Sequence, residues 1–219
     1  MLIDLHTHSY PHSDDSFMSV DELIEGSKSL GLDGICLTDH DNFWTDEEVR
    51  DLSSKHDFLV IPGCEINTES GHVLVFGLTQ YEFGMHKIEF LQASVEQAGG
   101  VLIAAHPYRR RFLEEPAERP GIREEMLERA RGDEFFGICQ GIEALNGRGS
   151  PVQNRFSLDL GRRLSADMTA GSDAHKVDQI ATVATEFQRP VSCLRDLIQE
   201  LRGGRYSPVD LRDNAAPRI

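Results

Sequence analysis

Short apolar runs and longer amphipathic stretches alternate along this chain from its first residues. Residues 1–8 (MLIDLHTH) have the density of a buried strand, and 19–31 (SVDELIEGSKSLG) follow with a capping serine, early acids and a closing glycine, the marks of a helix. The unit recurs: strand-like 34–40 (GICLTDH) precedes helical 45–56 (TDEEVRDLSSKH), and 58–66 (FLVIPGCEI) is followed by a second short strand at 72–78 (HVLVFGL). Helical 86–100 leads to strand 101–107 (VLIAAHP), a polar loop, and helical 123–132. The last third reads as strand 141–148, helix 152–164, strand and exit loop 166–175, and a final helix over 192–204. Six or seven strands alternating with helices predict mostly parallel pairing, because parallel neighbours need long crossovers.

That rhythm, over 219 residues without a composition break, predicts one α/β domain spanning 1–219, with a core over about 1–205 and a tail over 206–219. No apolar stretch approaches the roughly 20 residues of a membrane span, and nothing resembles a signal peptide, so a cytoplasmic address is expected. The four cysteines, Cys36, Cys64, Cys139 and Cys193, form no CxxC pair and are expected to be reduced core thiols. A net charge of −15 disfavours a broad nucleic-acid groove. Some of that negative charge is available to cations.

The placement of the polar residues changes the picture. His6 and His8, His40, Glu65, His106, and Asp173 with His175 each fall at the C-terminal end of an apolar run, the active face of a parallel barrel. His6 and His8 are two apart on one strand, so both rings project to one side, and Asp173 and His175 repeat that spacing. Asp4 shares their parity one layer deeper, where its carboxylate is expected to hydrogen-bond a ligand imidazole. A lone strand-end histidine is ordinarily structural. Six of the nine histidines (His6, His8, His40, His72, His106, His175) lie at or beside strand ends, and divalent ions would remove the cost of burying them together.

These motifs, DLHTH at 4–8, LTDHD at 37–41, CE at 64–65, GH at 71–72, AHP at 105–107 and GSDAH at 171–175, closely resemble the PHP (polymerase and histidinol phosphatase) family, in order and spacing. The resemblance implies a distorted (β/α)7 TIM-like barrel with two or three divalent metals in a cup at the strand ends. It implies that His6, His8 and Asp173 hold one metal, that Glu65 bridges to a second completed by His72 and His106, and that a third takes His40, His175 and an acid of the loop after the first strand. Counting four back from Ser19 gives Asp15, with Asp14 and His12 as neighbouring alternatives. Nitrogen and oxygen donors without thiolate suit zinc, manganese or iron. Strand alternation turns Cys64 away from the side that Glu65 faces.

Such a site predicts a metal-dependent phosphoesterase that uses activated water, and therefore needs no side-chain nucleophile. Arg109, Arg110 and Arg111, just past His106, and Arg148, past another strand end with Asn146 beside it, are the candidate phosphate clamps. Asp173 or His175 is the candidate proton donor to the leaving group. Asp39 and Asp41 flank His40, one of them a candidate supporting partner of the ligands or proton shuttle, or else a cap for the helix beyond, and Trp44 and Tyr108 are candidate cup-lining aromatics. The expected partner is a small phosphorylated substrate such as a nucleotide or sugar phosphate. An oligonucleotide-cleaving nuclease and a non-catalytic metal-binding regulator are the alternatives.

Overall fold

A computed structural model describes residues 1–107 and 121–212. The elements run β1 (Leu2–Thr7), α1 (Val20–Ser29), β2 (Gly34–Leu37), α2 (Asp46–His56), β3 (Leu59–Pro62), β4 (Cys64–Thr68), β5 (Gly71–Phe76), α3 (Ile88–Ala98) and β6 (Val101–Ala104). They continue with α4 (Ile122–Arg131), single-turn α5 (Phe135–Ile138), β7 (Gly141–Asn146), α6 (Pro151–Leu164), β8 (Asp167–Gly171), β9 (Val183–Phe187), α7 (Leu194–Arg202) and β10 (Tyr206–Asp210). Local chemistry sets the helix starts. Ser19, Thr45 and Ser150 each accept from the backbone N–H three residues on, while Glu22, Glu48 and Gln153 reach back to the cap, closing reciprocal boxes at α1, α2 and α6.

The mixed α/β class matches the sequence rhythm, but among the described residues the strands form two five-stranded sheets, not one closed barrel. Their orders are β10-β9-β1-β2-β3 and β4-β5-β6-β7-β8. Pairing is parallel for β1–β2, β2–β3, β6–β7 and β7–β8, and antiparallel for β1–β9, β9–β10, β4–β5 and β5–β6. The expected run 58–66 breaks at Gly63, where a Cβ would lie 2.7 Å from Phe76 Cε1 and 2.9 Å from Thr38 Cγ2. β4 then turns back through two residues into β5, too short a link for a crossover helix.

Two seams join the sheets. At one, Gly63 N–H donates to Leu37 O at 2.9 Å and Glu65 N–H to Thr38 O at 3.1 Å, so β4 enters beside the end of β2. At the other, Asp173 N–H donates to His6 O at 2.7 Å and His8 N–H to Ala174 O at 3.1 Å, while the Thr185 hydroxyl bonds both the N–H and the carbonyl of Ala170. An apolar cluster drawn from both sheets, including Ile3, Leu5, Ile61, Leu74, Ile103 and Phe187, packs across the interior. Residues 206–210, expected to begin the tail, instead form β10, which pairs along its length with β9. Cys36 and Cys64 are buried free thiols, but Cys193 is exposed at the cap of α7, outside the core expected for it. No helix among the described residues is long and apolar enough to cross a membrane.

Candidate metal centre

The seams set the site. β1 delivers His6 and, one step past its end, His8; β2 is followed by His40, which bridges directly to Glu65 at the start of β4. β5 carries His72, the segment after β6 carries His106, and the loop after β8 carries Asp173 and His175. His6, His8, Glu65, His72, His106, Asp173 and His175 are all buried, and His40 is half-buried at the mouth. Three of the turns are strained: Asp41, His106 and Asp173 have φ of 48°, 26° and 54°, in the left-handed region that side chains ordinarily avoid.

Glu65 is the hub. Its Oε1 lies 2.6 Å from His72 Nδ1 and 3.0 Å from His106 Nε2; its Oε2 lies 3.2 Å from His6 Nε2, 3.3 Å from His8 Nε2 and 3.1 Å from His40 Nδ1. Asp173 Oδ1 is 3.5 Å from His8 Nε2 and 3.7 Å from His6 Nε2. At the outer edge, Asp15 Oδ2 is 3.0 Å from His175 Nε2 and 3.6 Å from His40 Nε2. Of the three candidates in that loop, Asp15 is therefore the acid brought to the pair. Asp14 is exposed, and the His12 ring lies against Trp44, 4.1 Å between centroids. Four donor triads have their atoms mutually within 4.8 Å: His6/His8/Glu65, His6/His106/Asp173, Glu65/His72/His106 and His8/His40/His175.

Electrostatics test whether this set suits divalent ions. Burial opposes charge on Glu65 and Asp173, yet the surrounding imidazoles, His6 foremost, hold both carboxyls well below their usual range. Burial likewise opposes charge on His6, but Glu143, Asp173 and Glu65 carry it well above the usual imidazole value. The ring nitrogens His6 Nε2 and His8 Nε2 face each other at 3.0 Å, while Nδ1 of His6 meets Glu143 Oε1 at 2.9 Å and Nδ1 of His8 meets Ser13 Oγ at 3.1 Å. With His6 Nδ1 turned to the Glu143 carboxylate, its Nε2 presents a lone pair inward beside His8 Nε2 and two carboxylates, an arrangement that positive charge between carboxylates and rings favours. A proton provides one such charge; a divalent ion provides two and suits every donor present. The residues fit the metals.

A supporting layer was only partly foreseen. Asp39, fully buried, accepts from Ser9 N at 2.6 Å, Ser13 Oγ at 2.8 Å, Ser9 Oγ at 3.0 Å and Trp44 Nε1 at 2.8 Å. Ser13 Oγ in turn takes the N–H of His40 at 3.1 Å. Asp39 thus shapes the loop that carries Asp15, and Trp44 serves that loop instead of lining the cup. Asp41, flanking His40 on the other side, has its carboxyl pushed up by burial. Asp4 does not reach an imidazole: its Oδ1 accepts from the backbone of His6 at 3.2 Å and Ser172 at 2.8 Å, fastening β1 to the loop after β8. Burial raises its carboxyl to about 7.

The carboxylate behind His6 is Glu143, not one of the acids at strand ends; its signal in the sequence is an acid inside the apolar run GIEALN. Asn146 Nδ2 donates to Glu143 Oε2 at 3.0 Å and Asp173 Oδ2 at 3.2 Å. Arg148 Nη1 lies 3.4 Å from Asp173 Oδ1 and 3.0 Å from His175 Nδ1, with a third of its side chain exposed. Cys64 packs in the apolar cluster beneath α3, away from the donors. Arg109, Arg110, Arg111 and Tyr108 lie outside the described residues.

A mixed α/β scaffold whose loops converge imidazoles and carboxylates into overlapping metal-sized triads defines a class of metal-binding proteins. The chain belongs to the PHP family: the PHP domain model matches residues 4–149, and a PHP-associated model matches 151–206. Among solved structures it is similar to PsfC from Pseudomonas syringae PB-5123 (19% identity, 95% of this chain and 91% of that one, TM-score 0.62). It is also similar to a candidate metal-dependent phosphoesterase from Bifidobacterium adolescentis (18%, 91% and 95%, TM-score 0.58). An amidohydrolase from Chromobacterium violaceum, with bound sulfate and no metal, is a third (18%, 98% and 99%, TM-score 0.62). No curated protein is similar enough to be matched.

Proposed function

We propose that this protein is a metal-dependent phosphoesterase that hydrolyses phosphate monoesters of small molecules, a nucleotide or sugar phosphate being the substrate class. The observation that carries the reading is Arg148: a guanidinium held by Asp173 and facing His175 at the rim of the donor cluster, placed to meet an anionic group entering beside it. Two or three zinc, manganese or iron ions, when bound, acidify water and offset charge on phosphoryl oxygens. His6, His8, Glu65 and Asp173 would hold one, Glu65, His72 and His106 a second, and His40, His175 and Asp15 a third.

The chain's own residues then have distinct tasks. Arg148 binds and orients a phosphoryl oxygen and Asp173 anchors Arg148, while His175, whose Nδ1 meets the Asp173 carbonyl at 2.8 Å, keeps Nε2 for the third ion, so water supplies the proton needed by the leaving alcohol. The burial of the inner donors keeps bulk water from competing. We read the two sheets as the wall of a distorted barrel, supported by the seams between β2 and β4 and between β1 and the loop after β8, and the protein as cytoplasmic. The test is phosphate release from nucleoside and sugar monophosphates by protein loaded with zinc, manganese or iron. We expect turnover that chelator abolishes, and in Arg148→Ala a loss of 1–2 orders of magnitude in kcat/KM, from one charged phosphate contact of about 1.5–3 kcal/mol. Absence of turnover with every ion, or cleavage of short oligonucleotides with none of the monomers, overturns the reading.

A further inference from the structure

We propose that Glu143 is a positioning carboxylate that binds ligands of the two inner metal sets into one unit, so that its loss empties both while sparing the outer set of His40, His175 and Asp15. The inference rests on the reading that the cluster holds divalent ions, not on hydrolysis. Glu143 is 1% exposed, and its described partners are three hydrogen-bond donors from three segments: His6 Nδ1 on Oε1, and on Oε2 the backbone N–H of His106 at 2.8 Å and Asn146 Nδ2 at 3.0 Å. Asn146 extends the reach to Asp173. One side chain thus touches His6 from β1, holds the strained backbone turn of His106, and steadies Asp173, itself in a left-handed conformation, through one intermediary. Neither outer histidine bonds Glu143: His40 takes its backbone hold from Ser13 and lies 3.1 Å from Glu65 Oε2, and His175 meets Asp15, Arg148 and, at 2.8 Å, the backbone carbonyl of Asp173.

Three donors converging on one carboxylate make the geometry intolerant of an amide. In Glu143→Gln the oxygen satisfies the two donors at the Oε2 position, which turns the amide N–H toward His6 Nδ1. That nitrogen must then accept, and the His6 proton moves to Nε2, the nitrogen that faces the metals. The variant therefore changes which nitrogen of His6 is available, not merely how firmly the ring is held.

The experiment compares wild type, Glu143→Gln and Glu200→Gln as full-length zinc-loaded protein, by ion content per chain, calorimetric zinc titration and histidine side-chain 15N NMR. Glu200→Gln is a control: it replaces a buried glutamate that pairs with Arg205 far from the cluster. We expect Glu143→Gln to weaken zinc binding at the inner sets 10- to 100-fold, to move the His6 and His106 signals off their zinc-bound positions with a proton on His6 Nε2, and to leave the His40 and His175 signals in place. Glu200→Gln should keep the wild-type zinc content. If Glu143→Gln does not fold, Asn146→Ala provides the test: the His6 tautomer stays unchanged while zinc affinity of the inner sets falls severalfold. A variant with wild-type His6 signals and zinc affinity, or one that loses all sets equally, overturns the role of Glu143 alone. A wild-type protein that takes up no ion overturns both this inference and the metal reading beneath it.

Discussion

Gly171, at the end of β8, sits where β8 passes closest to His6, and replacing it with alanine tests whether the donor cluster depends on that approach. An added Cβ would lie 2.3 Å from His6 Cβ, 2.8 Å from Glu143 Oε1 and 2.9 Å from the His6 backbone nitrogen. Ordinary carbon contacts sit near 3.5–4.0 Å, so β1 and β8 must part by about 1 Å at the point where Asp173 N–H bonds His6 O. Gly171 does not have a positive φ, so the penalty is steric and not conformational. Overpacking of this kind costs about 1–3 kcal/mol, and a displacement of about 1 Å at a catalytic group costs on the order of 100-fold in rate. The assay pairs urea unfolding with phosphate release, using Gly137→Ala as comparison, because a Cβ there meets nothing within 4 Å. If Gly171→Ala were as stable as Gly137→Ala and turned over at the wild-type rate, the tight junction of β1 and β8 would not be what positions His6.

Two further outcomes follow from the buried acids. Asp39→Asn exchanges one acceptor oxygen for a donor among four converging donors, so it should lose about 3 kcal/mol of stability in denaturant and loosen the loop carrying Ser13 and Asp15; unchanged unfolding would refute the anchoring role. In metal-stripped protein, Asp4 retains its proton in the folded chain up to about 7 but releases it near 3.9 when unfolded, so the folded state binds more protons and loses stability as pH rises. Asp4→Asn mimics the protonated acid and lacks this loss. Its stability relative to wild type should rise by about 2–3 kcal/mol between pH 5 and 8, measured by urea unfolding at each pH, and a flat difference would show that Asp4 is not held protonated.

Most of the helices and strands, and the candidate donors, were legible in the sequence alone. A capping serine for α1 and the helical pattern for α2 and α6 placed those helices nearly to the residue, because such signals act within a turn or two of chain. The histidine and carboxylate positions were legible for the same kind of reason: polar residues at the ends of apolar runs, with two-residue spacing that strand geometry turns to one side. What periodicity does not encode is the partner across a ladder. The single Gly63 between β3 and β4, the two-residue turn into β5, and the short strands β9 and β10 produce two mixed sheets where a parallel closure was expected. The supporting acids show the same limit. Asp4 has the parity to meet an imidazole, yet the loop after β8 passes closer and takes its oxygen; Glu143, more than a hundred residues from His6 in sequence, reaches it only because β7, β8 and β1 come together. Residue type and spacing specify which groups can bind a cation, but only tertiary packing brings together segments so distant in sequence and decides which carboxylate stands behind which ring.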